Sequence, residues 1–163
     1  MTGPRLRPAA RGLVVDADDR LLLCRLDLPH QDVVVWTAPG GGVEPGEDPV
    51  AALHRELDEE VGLAVAGSPV HVWHQEVVAS GHVVGYDGAV NDYFLVRADA
   101  FEPRGSFDDD ALAAESITCF RWWTSAELAG HDGPEVFGPR DLPALFAELL
   151  RDGAPAVPRA LGL

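Results

Sequence analysis

Cysteine, methionine and positive charge are scarce in this chain. Its 163 residues include two cysteines and one methionine, and 12 basic side chains stand against 27 acidic ones. Two cysteines, Cys24 and Cys119, are too few for a disulfide framework, and their spacing is not that of a zinc site. Both fall in apolar runs that read as strands, so reduced, buried thiols in a cytoplasmic protein are expected. The net charge of −15 leaves no basic stripe for a long nucleic-acid footprint. A small anionic substrate remains open, because a bound metal reverses the local field. No apolar run approaches the roughly 18 residues that cross a bilayer, so no membrane partner is expected. Met1–Arg11 has no apolar core, which argues against a secretory signal.

Hydrophobic residues make up 47 % of the chain, enough for one domain over residues 1–163 with a real core. Residues 1–10 and 154–163 read as extended or partly frayed tails. Arg11–Asp16 and Arg20–Leu26 read as a hairpin around Asp16–Asp19, and Val33–Thr37 as a third strand. A glycine-rich loop then leads to Gly46. Val70–Ala79 and Ala89–Arg97 alternate as strands joined by a flexible connection over 81–88. Phe101–Ala114 is acidic and loop-like, Ile117–Trp123 is a strand, and Thr124–Ala129 a short helix. Asp141–Arg151 reads as a helix capped by Asp141 and stopped by Gly153. Strands interleaved with two main helices predict an α/β fold, a mixed sheet between helices.

The helix after the glycine loop carries the most information. Asp48 is its expected N-cap, Pro49 its first residue and Gly62 its terminator. Val50, Leu53, Leu57 and Val61 form an apolar stripe. With Leu57 as zero, Glu60 points to about −60°, Glu56 to about −100° and Glu59 to about −160°. Three carboxylates thus share the flank beside the buried stripe, and Asp58 lies on the solvent side. Glu56 and Glu60 are a like-charged i, i+4 pair, which destabilises a helix unless something neutralises it. A hard divalent cation with oxygen ligands would do so.

Gly41 to Leu63 resembles the signature of the Nudix hydrolases at every defined position. Gly41 is followed by five residues and Glu47; seven more lead to Arg55-Glu56-Leu57; Glu59-Glu60 and Gly62-Leu63 close the pattern. The resemblance implies a Nudix-type α/β/α sandwich and an enzyme that splits the diphosphate linkage of a small nucleoside diphosphate derivative by attack of water on phosphorus. It implies Mg²⁺, with Mn²⁺ as a substitute, on Glu56, Glu59, Glu60 and the Gly41 carbonyl. Gly40, Gly41, Gly42 and Arg55 become candidate substrate contacts. Arg55 is expected to pair with Glu47 or another of these acids.

The general base stays open between Glu56 inside the motif and Glu115 outside it, since family members often carry a Glu before a strand ending in Arg-Trp, here Arg121-Trp122. Asp108, Asp109 and Asp110 are rivals in the same loop. The histidines show no zinc-like clustering in sequence, and the four tryptophans read mainly as core. Tyr86, Phe107, His30 and Gln31 are candidate pocket residues. Many relatives are dimers, and Val70–Arg97 offers an interface. Residue usage suggests a bacterial source. The alternatives are a non-catalytic module that binds a nucleotide or an ADP-ribose-like ligand, against which the intact motif argues, and an isoprenoid diphosphate isomerase, which would need a catalytic cysteine. Markers of the known substrate subfamilies are missing, so the leaving group is not defined.

Overall fold

Runs of Leu and Val in short segments, separated by Gly, Pro and Asp, favour strands over long helices. The computed structural model describes residues 2–79 and 84–162. Among them, nine strands form one sheet: β1 (Leu6–Val15), β2 (Leu21–Leu28), β3 (Val33–Thr37), β4 (Gly40–Gly42), β5 (Val70–Val78), β6 (Gly88–Arg97), β7 (Ile117–Trp123), β8 (Val136–Gly138) and β9 (Arg159–Leu161). The helices are α1 (Pro49–Val61), α2 (Asp109–Ala114), α3 (Ser125–Ala129) and α4 (Leu142–Asp152). The order is β8-β3-β2-β1-β6-β5-β9, with β4 also on β1 and β7 also on β2. β1/β6, β3/β8 and β5/β9 run parallel and the other pairs antiparallel, so the sheet is mixed as expected.

Two apolar layers flank it. On one face α1 buries Ala52, Leu53, Leu57 and Val61 against Ala10, Val14, Leu22 and Phe94. On the other, α4 buries Leu142, Leu145, Phe146 and Leu149 against Leu13, Leu23, Trp36 and Trp123. This is the α/β/α sandwich predicted from the motif. The local signals on α1 act as read: the Asp48 side chain accepts from Val50 N, and Gly62 ends the helix at φ 75°. Asp141, by contrast, makes no side-chain cap at α4.

Several expectations need correction. The segment Phe101–Ala114 is not all loop. Asp108 accepts from Ala111 N, and Asp109 and Asp110 fill the first turn of α2, where negative charge favours a helix start. The expected hairpin is a single pair, Val15 with Leu21. Asp16 turns the chain by accepting from Asp18 N and Arg20 N, and the strands then diverge to other partners. Part of the glycine loop is strand, since Gly40–Gly42 pairs with Arg11–Ala9. Of the segments expected as extended or frayed tails, the first supplies the start of β1, paired along β6, and the second supplies β9 beside β5. Cys24 is buried but Cys119 is exposed. Cys119 pairs with Arg25, one step beyond Leu21, Leu23 and Trp123, where that face of the strand pair leaves the core.

A further correction concerns histidine. On a regular strand His71 and Trp73 share a face and His74 lies opposite. Here the β5/β6 register shifts between His71 and Trp73, a bulge that leaves Val72 and Trp73 both in the α4-side core. His71 and His74 therefore come together on the other face. His82 lies outside the described residues, as does part of the connection expected over 81–88.

Candidate active site

The sheet and α1 meet over a narrow cleft of about 120 Å³, lined by Arg7, Arg11, Cys24, Leu26, Gly40, Gly41, Gly42, Glu56, Glu60, Glu115 and Ile117. A larger open groove lies between residues 62–66 and 96–102. It is a shallow surface feature that takes in none of the motif's glutamates, so the smaller cleft is the chemically significant one.

Glycine is required here for closeness of approach. A side chain on Gly40, at φ 146°, would run into the Ala10 backbone of β1. A Cβ on Gly41 would stand 2.6 Å from Glu56 Oε1, so a larger residue here would push that carboxylate aside. Gly42 meets the Arg7 guanidinium in the same way.

Packing of Leu53, Leu57 and Val61 fixes the rotation of α1 and aims its acidic flank at this glycine strand. Glu60 is the deepest acid, 3 % exposed. Its Oε2 accepts from Gly40 N at 3.0 Å. Burial pushes its pKa up to about 8, and the neighbouring Glu56 and Glu115 charges add to the rise while Gly40 N–H and Arg11 oppose it. Glu56 is raised too, by burial first and by Glu59 and Glu115, against the lowering influence of Arg55. Cys24, at the cleft wall, is pushed up to about 12, by burial and then by Glu60. A thiol so held is protonated and unreactive at neutral pH, which removes the catalytic cysteine that an isomerase reading would need at this position.

Arg55 holds the acids in register. Its Nε and Nη2 donate to the two oxygens of Glu47, both at 2.9 Å. Nη2 also donates to the Gly42 carbonyl at 3.0 Å, and Nη1 reaches Glu56 at 2.9 Å and Glu59 at 3.4 Å. The forked pair draws Glu47 down to about 2 and keeps Arg55 above its ordinary value. One side chain thereby joins the glycine strand, the turn before α1 and two acids of its flank.

The structure brings Gly40, Gly41, Gly42, Glu56, Glu60 and Glu115 to one cleft, with Glu59 tied to it through Arg55. Glu115 sits where α2 ends. Two of its rivals are engaged elsewhere, since Asp108 caps α2 and Asp109 pairs with Arg104; the third, Asp110, lies exposed in the first turn of α2. Phe107 packs beside Leu26 and Ile117 at the cleft wall, whereas Tyr86 lies against Arg5. His30 and Gln31 are exposed in a 3-10 turn before β3. Trp36, Trp73 and Trp123 are core residues. The sequence reading missed Arg7 and Arg11, whose only signal is their shared parity on β1. Arg11 donates to the Ala38 carbonyl at 3.0 Å and to Asn91 at 3.4 Å.

A glycine-walled cleft that gathers Glu56, Glu60 and Glu115 on this fold suits a class of protein, the hydrolases of phosphorus anhydrides. Comparison with known proteins makes the assignment specific. The chain belongs to the NUDIX domain family, whose model matches residues 5–145, and its activity is that of a Nudix-type pyrophosphohydrolase. It is 30 % identical over 126 residues to an RNA pyrophosphohydrolase of Nitratiruptor, covering 71 % of this chain and 76 % of that one. It is 38 % identical over 129 residues to a provisionally named 8-oxo-dGTP diphosphatase 2 of Mycobacterium tuberculosis, covering 76 % and 77 %. The fold matches a MutT NUDIX hydrolase from Burkholderia pseudomallei with a TM-score of 0.61 at 22 % identity, over 85 % of this chain and 95 % of that one. Nudix hydrolases generally use divalent metal ions. No helix among the described residues is long and apolar enough to cross a membrane.

Proposed function

We propose that this chain is a cytoplasmic, Mg²⁺-dependent enzyme that hydrolyses the diphosphate linkage of a small nucleoside diphosphate derivative, with Mn²⁺ able to replace Mg²⁺. The carrying observation is Glu60, a buried carboxylate facing Glu56 and Glu115 with one backbone N–H as its partner. Such a charge is costly unless a cation accompanies it. The donor set fits a hard ion, because the carboxylates of Glu56 and Glu60 and the main-chain carbonyl of Gly41 in the cleft all offer oxygen. Glu56, Glu59, Glu60 and the Gly41 carbonyl would hold it. When bound, the ion neutralises phosphate charge and lowers the pKa of water.

The chain's own residues do the rest. Arg55 anchors Glu56 and Glu59 and so fixes the direction of their oxygens. Gly40 N–H keeps Glu60 from rotating out of the cleft. Gly40, Gly41 and Gly42 leave the glycine strand bare, so a diphosphate can lie along it. Arg7 and Arg11 supply positive charge in the lining of the same cleft. Glu56 or Glu115 accepts the proton lost by the attacking water. Glu115 is exposed and makes no side-chain hydrogen bond among the described residues.

The relatives' names divide between RNA ends and an oxidised nucleotide. The net charge of −15 favours a small molecule over a long RNA. The test is a phosphate- and pyrophosphate-release screen with Mg²⁺ or Mn²⁺. Its panel holds nucleoside triphosphates, oxidised nucleotides, ADP-ribose, nucleotide sugars, dinucleoside polyphosphates, NADH, coenzyme A and 5′-triphosphorylated RNA. Metal-dependent release from one small compound, absent in Glu60→Gln, supports the proposal. Turnover of the RNA alone would overturn the small-molecule reading. Release that persists in Glu60→Gln would overturn the site.

A further inference from the structure

We propose a second metal site, of different chemistry, on the strand pair β5/β6: His71, His74 and Asp92 form a three-ligand site for a borderline divalent transition-metal ion such as Zn²⁺. None of the three lines the acidic cleft.

The residues meet because of the β5 bulge. His74 is the direct partner of Asp92 across the strand pair, and the register shift brings His71 to the same face. His71 Nε2 lies 2.9 Å from Asp92 Oδ1, and His74 Nδ1 lies 2.6 Å from the same oxygen. The three donor atoms fall within 4.8 Å of one another. Tetrahedral zinc with bonds of about 2.0–2.1 Å spaces its ligands by roughly 3.4 Å, so the cluster needs to open by only about an ångström to admit the ion.

Ring orientation supports the assignment. His71 is stacked on Phe94, with centroids 4.9 Å apart at 23°, and Phe94 is seated in the core under α1. The second nitrogen of His74, Nε2, faces Glu76 Oε1 at 3.3 Å. A metal-binding histidine usually donates its remote N–H to such a carboxylate, which fixes the tautomer. Without metal, each ring directs an N–H to Asp92, and His71 Nε2 has the Trp73 carbonyl at 3.1 Å as a further partner. With metal, His74 moves its proton to Nε2 and donates it to Glu76. His71 moves its proton to Nδ1, leaving Nε2 free to bind.

Two imidazoles and one carboxylate select zinc-like ions over Mg²⁺, which prefers oxygen donors. The side chains are 33 %, 37 % and 21 % exposed for His71, His74 and Asp92. Solvent can therefore reach the site and supply a fourth ligand. The ion would pin the bulge and bind β5 to β6 independently of catalysis.

The experiment is an equimolar Zn²⁺ titration of the chelator-treated full chain, followed by imidazole NMR and by bound-zinc stoichiometry. The expected result is that the His71 and His74 signals move while the remaining histidines do not, and that excess Mg²⁺ leaves them in place. One zinc equivalent should persist in the double variant Glu56→Gln/Glu60→Gln and be lost in His74→Asn and Asp92→Asn. Glu76→Gln should weaken it by roughly tenfold or more. Unmoved His71 and His74 signals in the wild-type protein would overturn the site without recourse to any variant. Zinc lost from the double glutamate variant and retained in the histidine variant would assign the ion to the acidic cleft instead.

Discussion

The acidic cleft and the β5/β6 imidazole pair are both polar clusters, yet they are assembled by different means. Glu56, Glu59 and Glu60 come from one helix of 13 residues, and the rotation of that helix fixes all three. His71, His74 and Asp92 come from two strands and depend on where a bulge falls. The first cluster is built by local geometry and stabilised by an arginine that ties three acids together. The second is built by register and held by stacking. Carboxylate oxygen dominates the first, while imidazole dominates the second. A helix can therefore specify a hard-ion site within a few turns of sequence, whereas a sheet specifies a softer site only after its strands have paired.

The largest way to test the first half of that contrast is Glu60→Gln. Turnover should fall to the rate of the metal-only reaction. Stability should move the other way in the metal-free protein. The folded pKa is raised from 4.5 to about 8, so between these values the folded state keeps a proton that the unfolded chain has lost. Metal-free stability therefore falls as pH rises through this window, and Glu60→Gln removes that decline. Melting curves at pH 5 and pH 8, with and without Mg²⁺, check it. The wild-type protein should regain stability at pH 8 when Mg²⁺ is added, and the variant should gain much less. A wild-type melting temperature that does not fall with pH would show that Glu60 is not held as a costly charge.

Next in size is Leu57→Ala. Leu57 is fully buried between α1 and the sheet, and its loss should cost roughly 2–5 kcal/mol by cavity formation. Denaturant unfolding measures this directly. If the helix sets the cleft, the variant should also lose Mg²⁺ affinity under conditions where it remains folded. An unchanged unfolding midpoint would detach the acidic flank from the packing argued to hold it.

Legibility in the sequence follows the same division. Asp48, Pro49, the Leu53–Leu57–Val61 stripe and Gly62 act within a few residues of themselves, so α1 and its acids could be read directly. Arg55 with Glu47 was legible because the motif spaces them. The bulge at Val72 was not, because it depends on the pairing of β5 with β6. The same holds for β9, which becomes a strand only where β5 offers an edge. Arg7 and Arg11 enter the cleft because β4 docks on β1, a contact between segments some 30 residues apart. Exposure of Cys119 likewise depends on where the β2/β7 pair leaves the core. In the acidic run 108–110 a local signal was present, an Asp cap followed by two acids, and it is a helix start that a loop reading overlooked.

Glu115→Gln sharpens the cleft from the other side, since Glu115 arrives from the end of α2 rather than from α1. A reduction in kcat of at least about tenfold, equivalent to roughly 1.4 kcal/mol, is expected if it takes the proton of the attacking water or binds metal. The pH–rate profile separates the roles: loss of the acidic limb marks a base, while an unchanged profile with weaker Mg²⁺ dependence marks a ligand. An unchanged rate would leave Glu56 as the base, and the chemistry would then reside wholly on the helix.

The smallest effect is expected at the two thiols, and it still divides the molecule. Cys24 lies in the cleft wall with its thiol donating to the Thr37 carbonyl at 3.3 Å and its pKa pushed up to about 12. Cys119 is exposed on β7. Native protein should show one thiol that reacts quickly with an aromatic disulfide reagent and a second that reacts only on unfolding. Cys119→Ala should remove the fast phase and change stability by no more than about 0.5 kcal/mol. The same change at Cys24 should remove the slow one and weaken the packing behind Glu60. Two fast thiols in the native protein would mean that the cleft wall opens to solvent more readily than its burial implies. Glu60 would then share that access, and the argument for its raised pKa would fall with the argument for the shielded thiol.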